Sequence, residues 1–169
     1  MSVTLNPMRK IAIEKVVISA GATGDALTKS KKLLEIISGK QAQIIQSTKR
    51  IPDFKVNPGL EVGTRVTIRH DDAIVLLKRL LGAIDNKLKK KSISDNHFSF
   101  GITEYIEIPG IEYQRDIGIR GLNVTVTFAR PGLRVQRKKI KGSKVSKVQY
   151  VTKDEIAHFM REGFKTAIE

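Results

Sequence analysis

Residues 121–130, GLNVTVTFAR, alternate apolar and polar without a break from Leu122 to Phe128. Leu122, Val124, Val126 and Phe128 fall on one side of an extended chain, and Asn123, Thr125 and Thr127 on the other. A strand with one polar face does not suit a doubly wound parallel sheet, whose strands are apolar on both sides. The pattern recurs. Residues 61–69 (EVGTRVTIR) turn Val62, Val66 and Ile68 inward, and residues 98–108 (FSFGITEYIEI) turn Phe98, Phe100, Ile102 and Ile106 inward. In 11–20 (IAIEKVVISA) β-branched residues dominate, but the alternation slips at Glu14-Lys15. Only Val16, Ile18 and Ala20 there share a clear inward phase. Residues 41–47 (QAQIIQS) predict a further short strand.

Between these runs the apolar period lengthens to that of a helix. Over 25–38, Ala26, Leu27, Leu33, Leu34 and Ile37 keep one face, and Gly39 ends the segment. Asp71 or Asp72 then caps a helix with Ile74, Leu77, Leu81, Ile84 and Leu88 on one stripe. Thr152-x-x-Glu155 is a capping box opening a last helix over 152–168, with Ile156, Phe159, Met160 and Phe164 apolar. Helices mixed with one-sided strands predict an α+β fold of two layers, an antiparallel sheet with helices packed on one face. The whole chain, 1–169, reads as one domain with a basic C-terminal extension. Residues 48–60 (TKRIPDFKVNPGL) are longer than a plain connector needs and are expected to form a flexible loop.

Charge points to the partner. Lys and Arg number 31 against 17 Asp and Glu, a net charge of +14, which favours a polyanion. Residues 134–150 (RVQRKKIKGSKVSKVQY) hold seven of the basic residues and no acid: Arg134, Arg137, Lys138, Lys139, Lys141, Lys144 and Lys147. Such a run repels itself and is expected to be extended or poorly ordered until phosphates neutralise it. With six Phe, three Tyr and no Trp, mostly on apolar-periodic positions, few rings are left for unpaired bases to stack on. Folded RNA or duplex, held by backbone and shape, fits better.

Alternation also identifies what the sheet leaves open to solvent. It assigns there Lys15, Val17 and Ser19, Gln41 and Gln43, Arg65, Thr67 and Arg69, and Asn123, Thr125 and Thr127. These carry hydroxyls, amides and three cations with no carboxylate, a set that hydrogen-bonds sugar and phosphate oxygens. Thr is also common on any water-facing sheet. Catalytic signals are weak by comparison. His70, His97 and His158 have neither metal-ligand nor HExxH spacing, and without cysteine there is no thiolate site. By alternation Glu104 and Glu107 lie on opposite faces of one strand. Gly21-x-x-Gly24 lacks the remaining residues of either phosphate-binding glycine motif. No run approaches the ~18 apolar residues of a membrane span, and no apolar N-terminal stretch reads as an export signal.

Six segments, taken in order, resemble a known family. They are Asn6-Pro7-Met8-Arg9, Ser38-Gly39-Lys40-Gln41, Thr67-Ile68-Arg69, Phe98-Ser-Phe-Gly101-Ile102-x-Glu104, Gly118-Ile-x-Gly121-Leu122 and Ala129-Arg130-Pro131-Gly132. Each alone is common; six in register resemble the fifth protein of the large ribosomal subunit, in its archaeal and eukaryotic branch. The resemblance implies a cytoplasmic, non-enzymatic ribosomal protein with no cofactor, seated in the central protuberance on 5S rRNA and large-subunit rRNA. It further implies contacts with a neighbouring 5S-binding ribosomal protein, with P-site tRNA, and with a small-subunit protein across an intersubunit bridge. Residue by residue, the turn Ser19-Ala20-Gly21 with Thr67 and Arg69 matches the family's 5S-contacting positions. Lys49, Arg50, Phe54 and Lys55 match its tRNA-facing loop. Ser19 stands where the family often has Asn, His70 where Gly is usual, and Lys40-Gln41 where an amide is expected.

The expected 5S rRNA contacts are therefore Lys15, Ser19, Gly21, Gln41, Gln43, Arg65, Thr67, Arg69 and Thr125, with residues 134–150 as an rRNA arm. A nucleic-acid-processing enzyme using Asp71, Asp72 or Glu104 with magnesium is the alternative, and it requires those carboxylates to converge. A membrane-surface role is weaker still, since no helix pairs a cationic face with a bulky apolar one.

Overall fold

The structure, a computed structural model, describes residues 6–169; the first five, part of the stretch read above for an export signal, lie outside the described residues. The strands are β1 (Ala12–Gly21), β2 (Gln43–Gln46), β3 (Glu61–Ile68), β4 (Lys87–Leu88), β5 (Ile93–Ser94), β6 (His97–Ile102), β7 (Leu122–Ala129) and β8 (Ala167–Ile168). The helices are α1 (Asp25–Ser38), α2 (Asp71–Gly82), α3 (Arg134–Arg137) and α4 (Lys153–Phe164). Six strands form one antiparallel sheet in the order β2-β3-β1-β7-β6-β5. The α+β reading holds, with helices over one face.

The inward phase is as the alternation predicts. Val16 and Ile18 of β1, Val66 and Ile68 of β3, and Leu122, Val124, Val126 and Phe128 of β7 are all buried. Val62 is only half-buried, and Thr64 of the same inward set is fully buried. The slip at Glu14-Lys15 is a bulge: the β1–β7 register shifts between Ile13 and Lys15. Phe128 stands between Phe98, at 5.8 Å, and Phe159 of α4, at 5.6 Å edge-on, which joins the sheet to the last helix.

Helix α1 runs from Asp25 to Ser38 and ends at Gly39, whose φ of 63° is the left-handed cap geometry glycine adopts freely. Helix α2 departs from its predicted stripe. It buries Ala73, Leu76, Leu77, Leu80 and Leu81, while Ile74 remains 38% exposed. Ala73 is fully enclosed, so the buried face takes in a small residue that the predicted stripe passes over. The helix stops at Gly82, so Leu88 reaches the core from β4 instead. Neither Asp71 nor Asp72 caps it with a side chain; His70 occupies the cap position. Asp72 instead accepts a bond from Lys40 Nζ at 2.7 Å, which holds its carboxyl below the usual range.

Two further segments differ from expectation. The strand predicted to Ile108 ends at Ile102, and a 3-10 turn at Tyr105–Glu107 reverses the phase. Tyr105 and Ile108 are buried and Ile106 is 39% exposed, so Glu104 and Glu107 do not lie on one strand at all. The last helix keeps its capping box but ends at Phe164, and the chain then pairs β8 in parallel with β4. Gly121 sits where an added Cβ would be 2.9 Å from the carbonyl oxygens of Ile102 and Thr103, which only glycine permits.

His70 carries the clearest backbone strain. Its φ of 62° with ψ of −147° is a conformation that only glycine adopts without cost. Replacing it by glycine should stabilise the fold by about 1 kcal/mol, the strain relieved less the added unfolded-state entropy. Urea unfolding of His70→Gly against the wild type measures this, and a loss of stability would show that the imidazole makes a compensating contact.

Candidate nucleic-acid interface

With α1, α2 and α4 packed on one side of the sheet, the other side presents Lys15, Val17 and Ser19 of β1, Arg65 and Thr67 of β3, the odd-numbered residues of β6, and Asn123, Thr125 and Thr127 of β7. Register turns them into rows. Gln43, Arg65, Ser19, Asn123 and Gly101 lie side by side across five strands. Thr67, Val17, Thr125 and Ser99 form the next row, and Lys15, Thr127 and His97 the one beyond. Arg65 Nε donates to Gln43 Oε1 at 3.2 Å, which fixes both side chains on the surface. Gln43, Arg65, Thr67, Arg69 and Asn123 are exposed, and Lys15, Ser19 and Thr125 are half-buried.

Two expected members sit differently. Gln41 precedes β2, which starts at Gln43, so it lies at the margin of the face and outside the rows. Ser19-Ala20-Gly21 is not a turn but the last three paired residues of β1, opposite Arg65, Thr64 and Gly63. Gly21, Gly101 and Gly121 line a shallow hollow of about 340 Å³ at this end of the sheet, with Ser19 and Asn123 on its walls. Strand β6 adds His97, Ser99 and Gly101 to the face. The alternation that turns Phe98, Phe100 and Ile102 inward already placed these three outward, and reading it from both sides would have found them.

Residues 48–60 carry internal bonds rather than running free. Ile51 and Val56 exchange backbone bonds at 2.9 and 3.1 Å around a 3-10 turn at Pro52–Phe54, and Val56 is buried. Lys49, Arg50 and Lys55 are exposed around Phe54, whose ring is 77% exposed. An aromatic ring held out between cations is a surface for a ribose or base face.

The basic run is likewise not uniformly extended. Arg134–Arg137 form the single helical turn α3, and Lys147–Gln149 a 3-10 turn. Arg134, Lys138, Lys139, Lys141, Lys144 and Lys147 are exposed. Arg137 is docked: its Nη1 and Nη2 donate to Glu14 Oε1 and Oε2 at 2.5 and 2.6 Å. Arg69 Nη1 reaches the same Oε1 at 3.4 Å. The open face therefore does have a carboxylate, turned onto it by the β1 bulge. The Arg137 bond, above all, holds the Glu14 carboxyl below the usual range against the opposing effect of its burial. Asp71, Asp72 and Glu104 do not converge; Asp72 and Lys40 tie α2 to the end of α1. Among the described residues no group of three or more His, Asp or Glu gathers to hold a metal ion, and no helix is long and apolar enough to cross a membrane.

A family model described as ribosomal protein L5 matches residues 6–57, and a second, the ribosomal L5P family C-terminus, matches residues 61–159. The chain belongs to the ribosomal L5 family. Relatives named large ribosomal subunit protein uL5 agree along nearly the full length. That of Nanoarchaeum equitans is 42% identical, covering 93% of this chain and 95% of its own. That of Pyrobaculum aerophilum is 41% identical over 93% and 89%, and that of Nitrosopumilus maritimus 37% over 98% and 97%. As an L5-family protein it is a structural, non-enzymatic, RNA-binding constituent of the large subunit of the cytoplasmic ribosome.

The Glu14 contact gives this L5-family protein a definite acid response. A carboxyl whose folded pKa is depressed contributes stability above its unfolded value near 4.5, and loses it as pH falls through the lower folded value. Glu14→Gln should therefore be less stable than the wild type at neutral pH. The difference should close as pH is taken well below 4.5. Unfolding free energies of both proteins across pH 7 to 2 check this (roughly the carboxylate range); a gap that persists in acid would assign the loss to packing.

Proposed function

We propose that the open sheet face binds folded 5S rRNA in the central protuberance, that residues 134–150 enter rRNA as an arm, and that residues 48–57 meet P-site tRNA. The observation that carries the reading is the row Gln43, Arg65, Ser19, Asn123 and Gly101, which crosses five strands with amide, guanidinium and hydroxyl groups on one plane. Such a row suits ribose and phosphate oxygens along a groove, with side-chain donors setting the register. Lys15, Thr67, Arg69 and Thr125 extend it, Gly21 lets the backbone approach closely at its end, and Gln41 flanks it.

The mechanism is placement, not chemistry. Phosphate contacts orient the protein, and the exposed lysines of the arm release counterions as they enter RNA. Lys49, Arg50 and Lys55 bring the Phe54 ring to the tRNA elbow. A neighbouring 5S-binding protein and a small-subunit protein across the bridge are the protein partners, on the family likeness alone.

Binding to 5S rRNA against a tRNA of similar length, across a salt titration, tests the reading. Preference for 5S rRNA that survives raised salt supports it; equal binding that collapses with salt leaves only a basic surface. Arg69→Ala should weaken 5S rRNA binding by about 1–3 kcal/mol, the value of a charge-assisted hydrogen bond. Deleting 134–150 should flatten the salt dependence while circular dichroism remains that of the folded sheet. An unchanged slope would mean that the arm does not meet phosphate.

A further inference from the structure

Glu14 is the one acid that the bulge of β1 turns onto a face otherwise read as cationic and neutral. Its side chain is only 11% exposed, and burying a carboxylate is costly unless it is paired. It is paired twice, and by cations from distant parts of the chain. Arg137 grips both oxygens as a fork, and Arg69 shares Oε1. Both arginine side chains are about half exposed, at 51% and 50%. Each has five N–H donors, and Glu14 occupies two of Arg137 and one of Arg69. Among the described residues nothing else engages the remaining donors, which can meet a ligand.

We propose that Glu14 is a positioning residue that holds Arg69 and Arg137 together as a two-guanidinium seat for one backbone phosphate of the RNA, and thereby docks the arm to the sheet. This rests on the reading that the sheet face binds RNA. The ligand is a phosphodiester. Two arginines and one carboxylate leave one net positive charge, which a single phosphate neutralises. Without Glu14 the two cations repel each other. Arg137 would then follow the acid-free arm, whose nearby tie is the bond from Gln149 Nε2 to Pro131 O at 2.8 Å. Arg69 is fixed at the end of β3 just before the strained His70, so the moving partner is Arg137.

The proposal opposes the simplest electrostatic expectation. Removing an acid beside a phosphate raises the net charge by one and should tighten binding. Positioning requires the reverse. At fixed salt, Glu14→Gln should bind 5S rRNA about 5- to 10-fold more weakly, with a salt slope shallower by about one. In an Arg69→Ala, Arg137→Ala background, Glu14→Gln should change affinity by less than about 2-fold, since nothing remains to position. Glu14→Asp, which keeps the charge, should recover part of the loss. Matching circular dichroism among the variants shows that the sheet is intact. Tighter or equal binding by Glu14→Gln, or an undiminished effect in the double-alanine background, would overturn the proposal. All variants are also measured on a generic RNA duplex. If the wild type shows no preference for 5S rRNA, the 5S reading falls, and the Glu14 comparison is then decided on the duplex.

Discussion

The placement of β1 between β3 and β7 is the constraint on which the rest depends. Its pairs with both neighbours set Val16, Ile18 and Ala20 against the helices and Lys15, Val17 and Ser19 to the open side. A slip of one residue would exchange those sets and put a lysine into the core. The buried set excludes this: Val16 and Ile18 are fully enclosed, each contributing about 1.5–3 kcal/mol relative to exposure. The rows of the open face follow from the register that this burial fixes. The geometry of the open face is thus a consequence of core packing on the opposite side of the same strands.

The bulge in β1 is the one place where that rule is relaxed, and it has a consequence for charge. A strand in strict alternation would carry Glu14 to the core side with Val16 and Ile18. The extra residue in the β1–β7 register lets Glu14 turn to meet Arg69 and Arg137 instead. A local irregularity of the backbone thereby links the ends of two elements far apart in sequence. It does so at the edge of the surface that the alternation had cleared of acids.

Most of the sheet was legible because period two is a local signal. β7 and the inner half of β1 could be read to the residue, and the slip at Glu14-Lys15 was visible as a break in phase. Helix boundaries at Asp25 and Gly39 were legible for the same reason, and the Thr152–Glu155 capping box likewise. What was not legible depends on distant chain. Leu88 reads as a helical position until β8 arrives, roughly eighty residues later, to make it a strand (a separation local patterns do not sense). Ile106 continues the alternation of β6, but the Tyr105 N–H bonds Arg120 O at 3.1 Å and the chain turns. The cationic character of the open face was legible, whereas Arg137's partner was not, because the acid-free run finds its acid at the other end of the sequence.

A chain with a net charge of +14 has few acids to use, and where it uses them is informative. Among the described residues, Lys40–Asp72, Arg130–Glu155 and the Glu14 cluster each join segments remote in sequence; only His158–Glu162 is local. The exposed pairs, Lys40–Asp72 and His158–Glu162, contribute at most about 1 kcal/mol each, so they are not what holds the core together. The effect of the remote pairs is geometric. Arg130, nearly buried at the end of β7, bonds the capping-box Glu155 at 2.5 Å and orients α4 on the sheet. Burial alone would raise the Glu155 carboxyl, but the Thr152 N–H and the Arg130 guanidinium together outweigh it and hold it low. Among the described residues the arm's lysines and the loop's cations make no ion pair. That surplus would weaken an isolated protein through self-repulsion, and it is relieved when the polyanion arrives.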